Sequence, residues 1–156
     1  MDTTLELTPY ETERGKPMPS RNHASVQTNL IFAFAPYRNE LRILSEIGLD
    51  LAKWESVPDI AVYPKMEIDF LHDEISMKEP PLTVIEILSP TQSLQELVSK
   101  AEKYFEHGVK SCWLALLSLR NVYVFSSPTE YTVFTHKDVL KDPVLSVEMP
   151  LGEVFS

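Results

Sequence analysis

Cysteine occurs once, glycine four times, and no apolar run exceeds six residues in this chain of 156. A lone Cys112 cannot form an intramolecular disulfide, and its setting in Cys112-Trp113-Leu114-Ala115-Leu116-Leu117 reads as a buried thiol. A reducing, cytoplasmic compartment is the expectation. The longest apolar stretches, Leu30 to Ala35 and Cys112 to Leu117, are far too short to cross a bilayer. The first residues carry Asp2 and Glu6 without a basic n-region, which predicts no secretory signal and no membrane partner. Glycine-rich phosphate loops, CxxC pairs, HExxH and GxSxG are all missing, so zinc, nucleotide and serine-hydrolase readings have no foothold. Cations are also short. Fourteen Lys and Arg against 23 Asp and Glu give a net charge of −9, which argues against an electrostatic grip on nucleic acid over the whole surface.

What is present suffices for a core. At 44% hydrophobic and 24% charged, the composition is that of a globular domain, read as one unit over residues 1–156 with residues 1–9 irregular. Twelve prolines divide it, most clearly at Pro17, Pro19, Pro80 and Pro81. Tyr10 to Glu13 reads as a short strand before a turn at Gly15. Ser20 or Asn22 can then cap a helix to about Ala35, with Val26, Leu30, Ile31 and Phe34 on one face. Short β segments are expected at 41–44, 47–52 and 57–63, followed by an acidic excursion from Lys65 to Glu79. Leu82 to Leu88 is almost wholly apolar or β-branched and reads as a central strand covered on both faces. A helix from about Gln92 to His107 follows, closed by Gly108, with an apolar stripe of Leu94, Leu97, Val98, Ala101, Tyr104 and Phe105. Strands are expected at 111–117, 122–125 and 131–134, and a short helix or loop in the tail from Val139. The order predicts a mixed α/β (α+β) fold, one sheet flanked by helices.

Glu86 interrupts the central strand with a carboxylate. Such a group needs a cation, a donor network or a pocket opening, so it reads either as a structural ion pair or edge residue, or as a metal ligand or general acid/base. Asp59, 27 residues earlier, stands at the start of a neighbouring strand. A sheet can bring the two carboxylates together, and a hard-oxygen site of that kind suits Mg²⁺ or Mn²⁺. Pro58-Asp59 is equally a common turn dipeptide. Lys100 falls at the edge of the second helix's apolar stripe, where it either reaches the sheet or pairs with Glu96 four residues earlier. Near the beginning, Glu11, His23 and Gln27 are candidates to line a cleft, whereas His72, His107 and His136 show no ligand spacing.

The ordered set Pro58-Asp59-Ile60-Ala61-Val62, Pro81 to Thr91 around Glu86, and Lys100-x-x-x-Tyr104-x-x-x-Gly108-Val109 followed by Trp113 resembles the Uma-two family. Its members are described as putative restriction endonucleases of the PD-(D/E)xK nuclease superfamily, numerous in cyanobacteria. Tyr10-Glu11, Gly15 and the Pro19 to His23 region extend the resemblance, which covers about residues 10–155. It implies a restriction-endonuclease-like mixed central sheet flanked by helices, DNA as the partner and substrate, and a homodimer. It also implies Mg²⁺ (or Mn²⁺) held by Asp59, Glu86 and the carbonyl of Ile87, with Glu11 as an accessory catalytic carboxylate. The superfamily's lysine usually follows this Glu by two residues, where Leu88 stands, and Lys100 from the next helix takes its place. His23, Gln27, Glu96 and Tyr104 become possible cleft residues. Glu96 stands where the family often has Asp, and Leu116 where it often has an acidic residue. Two other readings stay open, a nuclease fold that binds without cleaving and a hydrolase of a small phosphodiester.

Overall fold

Ser20 is extended and its hydroxyl accepts the His23 N–H at 3.2 Å, which starts α1 (Arg21–Ala33). The computed structural model describes Pro9 and residues 18–156, so the expected Tyr10–Glu13 strand, the Gly15 turn and Glu11 lie outside the described residues. Phe34 caps α1, and Pro36 lies in a short 3₁₀ turn, Ala35–Tyr37. Val26, Leu30 and Phe34 are buried along one face, while Phe32 on the other is exposed.

The strands that follow are β1 (Leu41–Ser45), β2 (Gly48–Leu51), β3 (Trp54–Ser56), β4 (Ile60–Pro64), β5 (Ser76–Met77) and β6 (Thr83–Ile87). Then come α2 (Leu94–Glu106), β7 (Ser111–Leu116), β8 (Asn121–Phe125), β9 (Tyr131–Thr135), β10 (Val139–Asp142), β11 (Val147–Pro150) and α3 (Leu151–Val154). Six of the strands form one sheet in the order β1-β4-β6-β7-β8-β9. Only β6 and β7 run parallel in it, and α2 is the crossover that such a pair requires. The sheet is therefore mixed, as expected, with all five residues of β6 and all six of β7 buried.

Alternation along β6 assigns its two faces. Ile85 and Ile87 join a core with Leu30, Phe34 and Trp113 beneath α1, and Val84 joins a second core with Leu97, Ala101 and Tyr104 beneath α2. Glu86 shares the face of Val84 and so meets α2. Ser93 caps α2 by accepting the Glu96 N–H, and Gly108 follows its end with φ of +98°. A Cβ at Gly108 would also lie 3.1 Å from Pro80, so both backbone angle and space call for glycine.

Several expectations need correction. The segment 57–63 is not one strand. Only Ile60 onward is strand, in β4, while Val57, Pro58 and Asp59 form the link from β3, and Pro58 has no N–H to give a ladder. The tail is a β10–β11 hairpin with a four-residue α3, and the period-two burial that marks it is disguised by Asp142 in an inward position. There Asp142 Oδ2 accepts Ser111 Oγ and Trp113 Nε1, both at 2.7 Å. Leu94 is 45% exposed, outside the apolar stripe assigned to it, because it is the first residue of α2. The excursion after β4 is irregular as expected, apart from β5, which pairs parallel with β2. None of the described helices is long and apolar enough to cross a membrane.

Burial pushes the Cys112 thiol far up, with the Glu86 charge adding to it, and burial likewise raises the Tyr63 phenol. An unfolded chain ionises these groups first and binds fewer protons, so their stabilisation is whole at neutral pH and falls as pH rises past the unfolded value. For the thiol the loss begins near pH 9 and reaches about 2 kcal/mol by roughly pH 10.5. Urea unfolding across that range should show Cys112→Ala losing less stability than the wild type. Equal losses in the two proteins would contradict the assignment.

Candidate active site at the end of the central strands

β4 and β6 pair with Ile60 opposite Ile85, so one further step brings Asp59 and Glu86 to corresponding positions at the carboxyl end of β6. Both are 1% exposed. Asp59 stands one residue before the ladder, where the chain bends. That bend lets its carboxylate leave the pattern of the strand and reach α1. Asp59 Oδ2 accepts the Ile87 N–H at 2.7 Å and lies 3.2 Å from His23 Nε2. Its backbone carbonyl accepts Gln27 Nε2 at 3.0 Å and the Glu46 N–H at 3.1 Å. Asp59 is thus fixed at both its side chain and its main chain.

Glu86 is held from the other layer. Lys100 Nζ lies 3.2 Å from Glu86 Oε1, and Tyr104 Oη donates to the same oxygen at 3.1 Å. Lys100 and Tyr104 are one helical turn apart, so α2 presents both to one point on the sheet. The Tyr104 hydroxyl is also 2.7 Å from Ser56 Oγ on β3. Burial raises the Tyr104 phenol well above its ordinary range and the Glu86 charge raises it further, so it remains a neutral donor. Lys100 keeps 24% of its side chain exposed, which leaves its ammonium a route to solvent while it pairs with Glu86.

The structure gathers Asp59, Ile87, His23 and Gln27 on one side, and Glu86, Lys100 and Tyr104 on the other. Lys100 pairs with Glu86 and not with Glu96, which is exposed in the first turn of α2 and makes no contact with the cluster. Tyr104 and His23 do not line an open cleft, at 0% and 1% exposure. They stand behind the carboxylates and hold them. Ile87 meets Asp59 through its N–H. Sequence reasoning missed Ser56 and Glu46, whose contacts bridge 48 residues and 13 residues with no motif to announce them. Among the described residues, no group of three or more His, Cys, Asp and Glu side chains is arranged as a metal cage. The donor set is two carboxylates and neighbouring backbone, oxygen chemistry that fits a small hard divalent cation.

A cavity of about 400 Å³ is walled by Ser20, Asn22, Ser89, Gln92, Leu116 and Leu119 among others, and none of Asp59, Glu86 and Lys100 lines it. Ser20 and Asn22 precede His23 in sequence, and Leu88 and Ser89 follow β6 while Leu116 ends β7, so the cavity opens at the carboxyl ends of the parallel pair. Its polar walls are hydroxyls and amides. Leu116, 8% exposed, contributes apolar surface to it.

Removing Lys100 leaves a buried carboxylate with one of its donors gone. Lys100→Met should cost about 1–2 kcal/mol in chemical denaturation, while Lys103→Met, at an exposed position, should stay within about 0.5 kcal/mol. In a double-mutant cycle with Glu86→Gln, a coupling of about 1 kcal/mol or more is expected. A coupling near zero would show that the pair is geometric only.

The sequence matches the Uma2 family, described as "Putative restriction endonuclease", over residues 4–152. No curated protein matches. Among solved structures the chain is similar to one described as a putative nuclease belonging to DUF820, from Anabaena variabilis. That similarity has 23% identity and a TM-score of 0.74, covering 89% of this chain and 83% of the other. It is also similar at a lower level to a DrdV-DNA complex, with 12% identity and a TM-score of 0.36 over 70% of this chain and 12% of that one. The Anabaena likeness shows the fold, a restriction-endonuclease-like mixed sheet flanked by helices. With its family pattern running through nearly the whole sequence, this chain belongs to the Uma2 family.

Proposed function

We propose that the protein is a metal-dependent endonuclease that hydrolyses DNA phosphodiester bonds. The observation that carries this reading is the Lys100 ammonium 3.2 Å from Glu86, with Asp59 at the corresponding position of the adjacent strand. Asp59 and Glu86, with the carbonyl of Ile87, would hold Mg²⁺ or Mn²⁺. When bound, such an ion supplies charge neutralisation at the phosphate and activation of a water nucleophile. The chain's own residues do the rest. Lys100 orients the attacking water or offsets the negative charge that develops on the phosphate. Tyr104 keeps Glu86 aimed while remaining neutral, and His23 and Gln27 keep Asp59 from turning away. The cavity at the ends of β6 and β7, walled by hydroxyls and amides on one part and by leucines on another, would be the approach for the substrate. Two copies acting on opposite strands would account for cleavage of a duplex, hence the reading of the protein as a homodimer.

The net charge of −9 is compatible with DNA because the charge is unevenly placed. Arg21, Lys103 and Lys110 are exposed around the two helices. Leu116 in the cavity wall favours a competing reading, a nuclease fold that binds without cutting.

Supercoiled plasmid separates the two. The wild type should nick it with Mg²⁺ or Mn²⁺ and stop when the metal is chelated. Asp59→Ala, Glu86→Ala and Lys100→Ala should each lower the rate by roughly 10²-fold or more. Cleavage unchanged in all three variants would overturn these catalytic roles, and no cleavage by a wild type that still takes up Mn²⁺ would favour the binding module.

A further inference from the structure

The segment between β4 and β5 carries three of the most exposed apolar side chains among the described residues. Phe70, Leu71 and Ile75 are 91%, 90% and 97% exposed. This is an ordered turn. Asp69 Oδ1 accepts the Leu71 N–H at 3.0 Å, Asp69 Oδ2 lies 2.9 Å from His72 Nδ1, and the Asp69 carbonyl accepts the His72 N–H. That local network holds the turn with Phe70 and Leu71 exposed. Between residues 66 and 77 the segment holds Glu67, Asp69, Asp73 and Glu74 and no Lys or Arg.

The opposite character lies next to it. A depression of about 300 Å³ between α1 and the edge strand β1 has Ile31, Phe32 and Ile43 in its floor and Arg38, Arg42 and Lys65 around it. None of these three cations pairs with a carboxylate among the described residues. Lys65 Nζ and Arg42 Nη2 donate to backbone carbonyls, and Arg42 Nε is buried with no acceptor among those residues. The acidic loop leaves the rim at Lys65 but does not fill the depression, since its apolar side chains remain exposed.

We propose that the occupant is a second copy of this chain, each copy placing its Phe70-Leu71 loop in the basic, apolar depression of the other. A loop and a pocket adjoining on one edge are what a two-fold axis needs, because every contact is then made twice. The charges are complementary, and incoming carboxylates from Asp73 and Glu74 would meet the exposed Arg38 and Lys65 at the rim, neither of which pairs with a carboxylate among the described residues. The area is also of the right order. Phe70 at 91% and Phe32 at 69% exposure, out of roughly 200 Å² for a whole side chain, offer about two-fifths of the roughly 800 Å² per partner of a standard interface, and Leu71 and Ile75 add to it. The proposal gives the homodimer reading its surface and rests on that reading alone, not on the cleavage chemistry.

Sedimentation equilibrium of the full chain tests it. The wild type should dimerise, and Phe70→Ser/Leu71→Ser should weaken association at least tenfold with an unchanged far-ultraviolet spectrum and melting curve. Arg38→Glu/Arg42→Glu should weaken it similarly, and mixing that protein with Asp73→Arg/Glu74→Arg should restore association. Because Cys112 is buried, Leu71→Cys and Arg38→Cys proteins carry one reactive thiol each. They should cross-link when mixed. A monomeric wild type, a dimer indifferent to the loop, or cross-linking of Leu71→Cys with itself alone would each overturn the proposal. A monomer that still nicks plasmid overturns this inference and leaves the catalytic one standing, and a loop-dependent dimer that never nicks does the reverse.

Discussion

A carboxylate sealed inside a five-residue buried strand would cost several kcal/mol if nothing met its charge. Glu86 is met by Lys100 and Tyr104, both from the helix that crosses from β6 to β7, and much of the architecture follows from that requirement. Only a parallel pair puts a crossover helix directly over its own strands. Only a helix whose residues recur every four positions can aim a cation and a phenol at the same oxygen. Tyr104 in turn is tied to Ser56, so the small β2–β3 unit is fastened to α2 through the same group that holds Glu86. Stability and the proposed chemistry thus share one anchor.

The second carboxylate is arranged on a different principle. Asp59 is taken out of the ladder by the bend after Pro58 and gripped by a backbone N–H, a histidine and, through its carbonyl, a glutamine. Charge is therefore concentrated at the end of the sheet by two independent layers, α1 on one face and α2 on the other. Such pre-arrangement fixes the acidic groups before any ligand arrives, as the proposed cation site would require.

The central features were legible because they violate a local pattern. Glu86 stands out as one charge in an apolar run, and Lys100 stands out as a cation at the border of an apolar helix stripe, so each announces a need for a partner. The parallel β6 and β7 strands were equally plain, being continuous apolar segments on either side of a helical period. Groups that obey local patterns were harder to place. Asp142 is buried but sits beside Pro143 in a stretch that reads as a turn, so the β10–β11 hairpin was hidden. His23 looked like any polar residue in the first turn of a helix, and nothing local says that α1 lies across the end of β4. Ser56 depends on a contact 48 residues away, a distance over which spacing carries no information.

Everything proposed for the chemistry depends on Asp59 and Glu86 forming one metal site with the end of β6. Crystals soaked in Mn²⁺ and measured at a wavelength where manganese scatters anomalously test it most directly. One anomalous peak is expected between the two carboxylates, within about 2.3 Å of oxygens from Asp59 and Glu86 and beside Ile87. A peak elsewhere, or none while Asp59 stays on His23 and Glu86 on Lys100, would contradict it.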